Sequence, residues 1–133
     1  MLGTPSLPAM EAIVAQRLVR RICHVCAVEY VPSADELALY EKVTGVRREE
    51  FWHGTGCAHC HGTGYYERIG VYEFLRLDDE IKELIVRGAT AAELRDAAVK
   101  TSGMVPLGQA AMAKVTTNET TISEVIRTVY AAG

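Results

Sequence analysis

Cys23-His24-Val25-Cys26 and Cys57-Ala58-His59-Cys60, with the thirty residues 27–56 between them, are the stretch on which the fold of this chain turns. A C-x-x-C turn sets two sulfurs on one side of a tight bend. Two such turns supply four thiolates, which is the closed tetrahedral set of a structural zinc ion. A closed four-sulfur shell leaves no open position for water, so the ion is expected to be structural and not catalytic. The gap is longer than the commonest ribbon spacing of about 15–20 residues, which leaves room for a small insert between the knuckles. The same residues permit other readings. They are two separate redox pairs, disulfides in one of three connectivities, iron or another divalent ion in place of zinc, and His24, His59 or His61 displacing a thiol. Arg20, Arg21 and Arg68 lie near the knuckles in sequence and are candidates to offset the charge of a tetrathiolate centre. Gly62 and Gly64 are candidates to turn backbone N–H groups toward sulfur.

Outward from the knuckles, the punctuation is explicit. Before them, Met10, Val14, Leu18 and Ile22 recur every four residues, which predicts a helix over 8–22, with Pro8 in its first turn and Arg17, Arg20 and Arg21 on an adjoining arc. Between them, Ser33-Ala34-Asp35-Glu36 reads as a capping box opening a helix with Leu37, Tyr40 and Val43 that ends near Gly45. Trp52 and His53 read as packing and loop residues. After the second pair, Gly62 and Gly64 mark a tight turn, and Tyr65 to Leu77 reads as a strand with a bend at Gly70. The last third is helical. Asp78 caps a helix stopped by Gly88, Thr90 to Glu93 forms a second capping box, and Pro106 starts a helix through about Val115. Thr121 to Glu124 forms a third box, whose helix carries Ile122, Val125, Ile126, Val129 and Tyr130. These apolar stripes are read as core.

The expected fold class is therefore α+β and mostly helical: a zinc-clamped tetracysteine module with a short strand or hairpin, followed by a small helical C-terminal bundle. The expected division is a lead-in or foreign remnant at 1–7, the helix 8–22, the tetracysteine module 23–65, and a strand plus helical region 66–133. The chain has 133 residues, 14 basic and 17 acidic, for a formal charge of -3. That balance gives no long-range pull on nucleic acid, so none is expected as a partner. No apolar stretch approaches the roughly 18–20 residues of a membrane span. The N-terminal residues lack the pattern of a secretory signal, which makes the cytosol the expected compartment. Phosphate-loop, dinucleotide-fingerprint, H-E-x-x-H and G-x-S-x-G motifs are absent from the sequence, and no complete catalytic constellation is legible.

Taken together, the ordered motifs resemble the C-terminal part of the type II secretion and type IV pilus assembly ATPases. Ala15-Gln16-Arg17-Leu18-Val19-Arg20-Arg21-Ile22-Cys23 is similar to the segment A-Q-R-L-V-R-x-[LI]-C that leaves the family's ATPase core. Gly56 to Tyr65 is similar to its G-C-x-x-C-x-G-T-G-Y knuckle, and Arg68 to Glu73 to its R-x-G-[VI]-[YF]-E strand. Gly103-Met104, Lys114-Val115, Thr120-Thr121 and Glu124-Val125 follow the closing pattern in register, although the acidic–glycine pair usual after Gly103-Met104 is replaced here by Gln109-Ala110-Ala111.

The resemblance implies a fragment of a hexameric motor at the cytoplasmic face of the inner membrane. Such motors couple ATP hydrolysis to protein export or pilus extension through an inner-membrane platform protein. ATP and Mg2+ would belong to the parent protein only, since no position here matches its nucleotide-binding motifs. Within that assembly the rest of the ATPase, the neighbouring subunits and the platform protein are the implied partners, and the module's implied role is structural and coupling. For Arg17, Arg20 and Arg21 the resemblance implies a position facing nucleotide or an acidic neighbour, the simpler reading being a solvated or metal-screening arc. Two other classes fit parts of the pattern. One is a free-standing zinc-ribbon adaptor. The other is a DnaJ-like peptide-binding zinc module, matched by Cys57-x-x-Cys60-x-Gly62-x-Gly64 alone.

Overall fold

The structure, a computed structural model, describes residues 11–101 and 103–131. In chain order these form β1 (Glu11–Ile22), β2 (Ala27–Tyr30), α1 (Ala34–Thr44), β3 (Phe51–Gly54), β4 (Tyr65–Arg76), α2 (Asp79–Val86), α3 (Ala91–Thr101), α4 (Leu107–Thr116) and α5 (Ile122–Val125). A π-helical turn, Ile126–Tyr130, continues α5. β1 pairs with β4 in one two-stranded sheet, and β2 pairs with β3 in another. The second pair is antiparallel, with Ala27 opposite Gly54 and Tyr30 opposite Phe51. The fold is α+β, with five α-helices and small sheets among the described residues, as the sequence leads one to expect.

The helix expected over 8–22 is instead the strand β1. Residues spaced by four share a face in a strand as well as in a helix, because four is a multiple of the strand period of two. The four-residue stripe therefore never separated the two. Burial does not separate them either, since Val19 and Ile22 are buried and Leu18 is half exposed; the pairing with β4 does. Ile13, Val14, Val19 and Ile22 are β-branched and suit extended backbone once β4 supplies a ladder. Pro8 and Met10 lie outside the described residues, as does the lead-in 1–7.

Two further local corrections follow. The strands β2 and β3 were not legible, since each has four residues and a helix replaces the turn that would have announced a hairpin. Trp52 and His53 thus lie in a strand and not a loop, with the His53 ring stacked on Tyr30 at 4.1 Å. In β4 the non-glycine residue with a left-handed backbone is Glu67, at φ 66°.

Where side chains could speak for themselves, the helix boundaries follow the sequence. Ser33 accepts from the Glu36 N–H and Glu36 returns to the Ser33 N–H, a complete capping box. Thr90 and Glu93 repeat it. Asp78 accepts from the Ile81 N–H at the start of α2.

The chain divides into two compact units. One unit comprises Arg17–Val71 with residues 107–131, and the other comprises residues 11–16 with Tyr72–Pro106. The first unit buries Val19, Tyr40, Phe51, Val71, Ala111, Met112, Val115, Ile122 and Val125 together. The valine, isoleucine, methionine and phenylalanine side chains among these each contribute roughly 1.5–3 kcal/mol when fully removed from water. Tyr40 of α1 meets Phe51 of β3 edge to face at 5.0 Å, and its hydroxyl lies 2.7 Å from Thr116 Oγ1 on α4. The insert between the knuckles is therefore folded onto the C-terminal helices. The second unit has its own smaller core of Leu75, Ile81, Ala98 and Met104. Its buried Glu73 carboxylate accepts from Arg95 Nε at 2.9 Å.

Candidate metal centre

The two knuckles hang from the ends of strands in the first unit. Cys23 follows β1 directly, Cys26 precedes β2, and Cys57 to Cys60 sit in the loop between β3 and β4. The backbone of that loop is closely wound. Gly62 N–H donates to Cys57 O at 2.8 Å, and Thr63 N–H donates to Cys60 O at 3.2 Å. The Thr55 N–H donates across to Cys26 O at 3.2 Å, and the Cys23 N–H donates to Gly64 O at 2.9 Å. Gly54 and Gly64 approach so closely that a Cβ on either would strike the other's backbone.

All four sulfurs expected from the sequence converge. Cys23 and Cys57 Sγ lie 3.7 Å apart, Cys26 and Cys60 3.8 Å, and Cys57 and Cys60 3.7 Å. Their Sγ atoms all fall within 4.8 Å of one another. Four sulfurs each about 2.3 Å from a central ion at tetrahedral angles stand about 3.8 Å from each other. A disulfide would bring a pair to about 2.05 Å, and all four thiols are free. Among the described residues the cluster contains no imidazole. His24 and His59 instead meet each other edge to face at 5.5 Å, and His59 lies on Tyr66 at 4.1 Å.

Backbone amides, not arginines, face the sulfurs. The Gly64 N–H donates to Cys60 Sγ at 3.1 Å, and the Cys57 N–H donates to the same atom at 3.3 Å. Gly56, which the sequence reading did not single out, donates to Cys26 Sγ at 3.3 Å. Its signal was available: it opens the G-C-x-x-C turn at φ 103°. Of the two glycines expected in this role, Gly64 fills it, whereas the Gly62 N–H is used by Cys57 O. Arg20 is committed elsewhere, and Arg21 and Arg68 are exposed with no hydrogen bond to sulfur among the described residues.

The thiols resist ionising together. Burial pushes the Cys60 thiol up, but the Cys57 and Gly64 backbone groups and neighbouring thiols outweigh it and hold it at about 6. At Cys57, backbone hydrogen bonding with Cys60 pulls down, yet burial and the other thiols carry it up to about 11. Without a cation, Cys60 ionises readily and Cys57 beside it does not. A divalent ion removes that conflict, because a coordinating thiol is deprotonated outright. The arrangement therefore suits a cation bound by four sulfurs.

Beside the knuckles lies a buried carboxylate. Glu124, the last residue of the expected Thr121 box, is 1% exposed. Thr121 Oγ1 accepts from the Glu124 N–H at 3.0 Å, so half of that box forms. The Glu124 side chain serves another purpose. It accepts from the Arg20 N–H at 2.8 Å, from Arg20 Nε and Nη2 at 3.1 and 2.9 Å, and from Arg127 Nε and Nη2 at 3.1 and 2.9 Å. Burial would raise this carboxyl, but the hydrogen bonds from Arg127 and then Arg20 win and hold it below the usual carboxylate range. A carboxyl lowered by folding adds stability that is complete above its unfolded pKa and is lost as pH falls through the folded value. The difference in unfolding midpoint between the native chain and Glu124→Gln is therefore expected to be full near pH 6 and to shrink toward about pH 3. Thermal unfolding followed by circular dichroism across that range checks it, and a gap that widens on acidification contradicts the assignment.

Comparison with known proteins agrees with the architecture. The family model described as Type II/IV secretion system protein matches residues 6–127. The chain is 38% identical over 122 residues to the type IV pilus assembly ATPase PilB of Thermus thermophilus, covering 89% of this chain and 13% of that protein. It is 34% identical over 123 residues to PilB of Myxococcus xanthus, covering 89% of this chain and 21% of that protein. To the type II secretion system protein HxcR of Pseudomonas aeruginosa it is 32% identical over 119 residues, which is 90% of this chain and 21% of that protein. The chain thus spans about a fifth or less of the length of these relatives. Among the described residues no helix is long and apolar enough to cross a membrane. With its two knuckles, the strand that follows them and its closing helices all inside the matched region, the chain belongs to the type II/IV secretion system protein family.

Proposed function

We propose that the chain is the metal-clamped C-terminal module of a secretion or pilus assembly ATPase, with Cys23, Cys26, Cys57 and Cys60 as ligands of one structural zinc ion. The observation that carries this reading is the sulfur spacing of 3.7 to 3.8 Å, both within a knuckle and across the two. Thiolates in a closed tetrahedral set favour zinc among the abundant divalent ions. The ion contributes folding free energy to a region whose β2–β3 sheet is a pair of four-residue strands.

In the parent protein, ATP hydrolysis with Mg2+ takes place outside this chain. The module acts there as a stiff lobe that transmits motion of the motor to its neighbours. Those neighbours are the rest of the ATPase, adjoining subunits of a hexamer, and a platform protein that holds the assembly peripherally at the cytoplasmic face of the inner membrane. The relatives named as pilus assembly ATPases and as type II secretion proteins support this placement, and the stiffness follows from a metal cross-link between two loops.

Two measurements test the reading. Native mass spectrometry of the purified chain is expected to find one zinc per molecule, and none after Cys57→Ser. In the full-length protein, Cys57→Ser is expected to abolish pilus assembly or secretion while ATP binding persists. A metal-free native chain sinks the ligand assignment, and unimpaired export by the variant sinks the coupling role.

A further inference from the structure

We infer that Glu124 is a positioning residue for the metal centre: its carboxylate holds the roots of the two C-x-x-C knuckles side by side, so that metal retention depends on the C-terminal helix. The inference rests on the metal reading above and concerns residues which that reading does not use.

The first observation is where the carboxylate points. A glutamate three residues after an N-cap normally returns to the cap's own N–H, as Glu36 and Glu93 do. Glu124 instead gives its two oxygens to Arg20 and Arg127, and its side chain is 0% exposed. A fully buried charge is costly unless every lone pair is matched. Here five N–H donors match it, three of them from Arg20, which lies 104 residues earlier.

The second observation is what those partners lead to. Arg20 stands three residues before Cys23 on β1. Its carbonyl accepts from Thr120 Oγ1 at 2.7 Å, and the Ile22 N–H donates to Glu119 O at 2.8 Å. The end of β1 is thus tied along its length to residues 119–124. The Arg20 guanidinium also lies over the Tyr65 ring, 4.2 Å from its centroid, a favourable cation–π contact. The Tyr65 hydroxyl is 2.7 Å from Thr121 Oγ1, the atom that caps Glu124. A ring of contacts therefore closes: Glu124, Arg20, Tyr65, Thr121 and back to Glu124. Tyr65 follows Gly64, whose N–H faces Cys60 Sγ and whose carbonyl accepts the Cys23 N–H.

The ring so formed grips one knuckle through Arg20 and the other through Tyr65. The Cys57–Cys60 distance is fixed within its own turn. The Cys23–Cys57 and Cys26–Cys60 distances depend on how the two knuckles are placed against each other, and the Glu124 ring fixes that placement from outside, beside the direct bonds from Cys23 N–H to Gly64 O and from Thr55 N–H to Cys26 O.

The test uses the whole chain loaded with zinc, with release followed by a chromophoric chelator, and a parallel sample loaded with Co2+ for its ligand-field spectrum. Glu124→Gln keeps the side-chain shape and removes the charge. It is expected to release zinc roughly tenfold faster, at the lower end of the 10–100-fold that groups supporting metal ligands control, and to distort the Co2+ spectrum. Tyr65→Phe removes only the hydroxyl and is expected to speed release about threefold, the effect of one neutral hydrogen bond. Glu73→Gln, which breaks the other buried carboxylate–arginine pair, lies in the second unit and is expected to change neither readout. Wild-type release rates and spectra in both Glu124→Gln and Tyr65→Phe overturn the inference while leaving the metal reading intact. If Glu124→Gln does not fold, Tyr65→Phe decides, since it keeps the Glu124 charge and both arginines. A native chain that takes up no metal overturns both readings together.

Discussion

Withdrawing the metal with a chelator is expected to raise amide exchange by about a hundredfold or more over residues 22–30 and 52–66, while residues 79–101 exchange as before. The sequence of causes is short. Structural zinc binding is worth on the order of 10–16 kcal/mol in small thiolate sites, against a typical whole-domain stability of about 5–15 kcal/mol. The sheet that frames the site has only two four-residue strands, and such a pair does not stand alone in water. Once the ion leaves, the Cys57 thiol at about 11 cannot stay ionised near neutral pH, and the sulfurs lose their reason to converge. The helices α2 and α3 keep their protection because Leu75, Ile81, Ala98 and Met104 form a core of their own. Cys60→Ser should reproduce the pattern without chelator, as it removes the sulfur that receives two backbone N–H groups. Hydrogen exchange read by mass spectrometry makes the comparison, and an unchanged knuckle after complete metal removal would refute the clamp.

Gly64→Ala is expected to be the most damaging substitution outside the ligands, costing about 3 kcal/mol or more and the metal with it. Gly64 holds φ 81°, where a Cβ is strained, and the added carbon would collide with the Gly54 backbone carbonyl. Moving Gly64 away to relieve the clash would also pull its N–H from Cys60 Sγ and its carbonyl from the Cys23 N–H. Gly88→Ala separates the two effects. Gly88 has almost the same φ, 79°, but a Cβ there meets nothing within 4 Å. It should lose only the left-handed strain of about 1–2 kcal/mol. Denaturant unfolding of both variants, with metal content measured alongside, tests the contrast. Equal losses at the two sites would show that the close approach of the loops is unimportant.

The parts of the fold that were legible in the sequence are those that residues fix locally. Ser33, Asp78, Thr90 and Thr121 each accept the backbone N–H that their caps require, so the starts of α1, α2, α3 and α5 follow from side chains within three positions. The four sulfurs were legible for a related reason, since a C-x-x-C turn builds half of a metal shell by itself. What misled was the stripe Met10, Val14, Leu18 and Ile22, whose period suits helix and strand alike. The partner that decides between them, β4, lies more than forty residues away. The short strands β2 and β3 were hidden in the same way, because their pairing crosses the α1 insert.

The amino-acid order alone thus determined which atoms could hold an ion and where the helices begin, because both depend on neighbours a few bonds away. Only the tertiary structure decided that β1 is extended, that α4 and α5 pack with the knuckle while α2 and α3 form a separate unit, and that Glu124 serves Arg20 and not its own cap. Each of these is a contact between residues far apart in the chain, and long-range burial and charge pairing outweigh the local preference wherever the two compete.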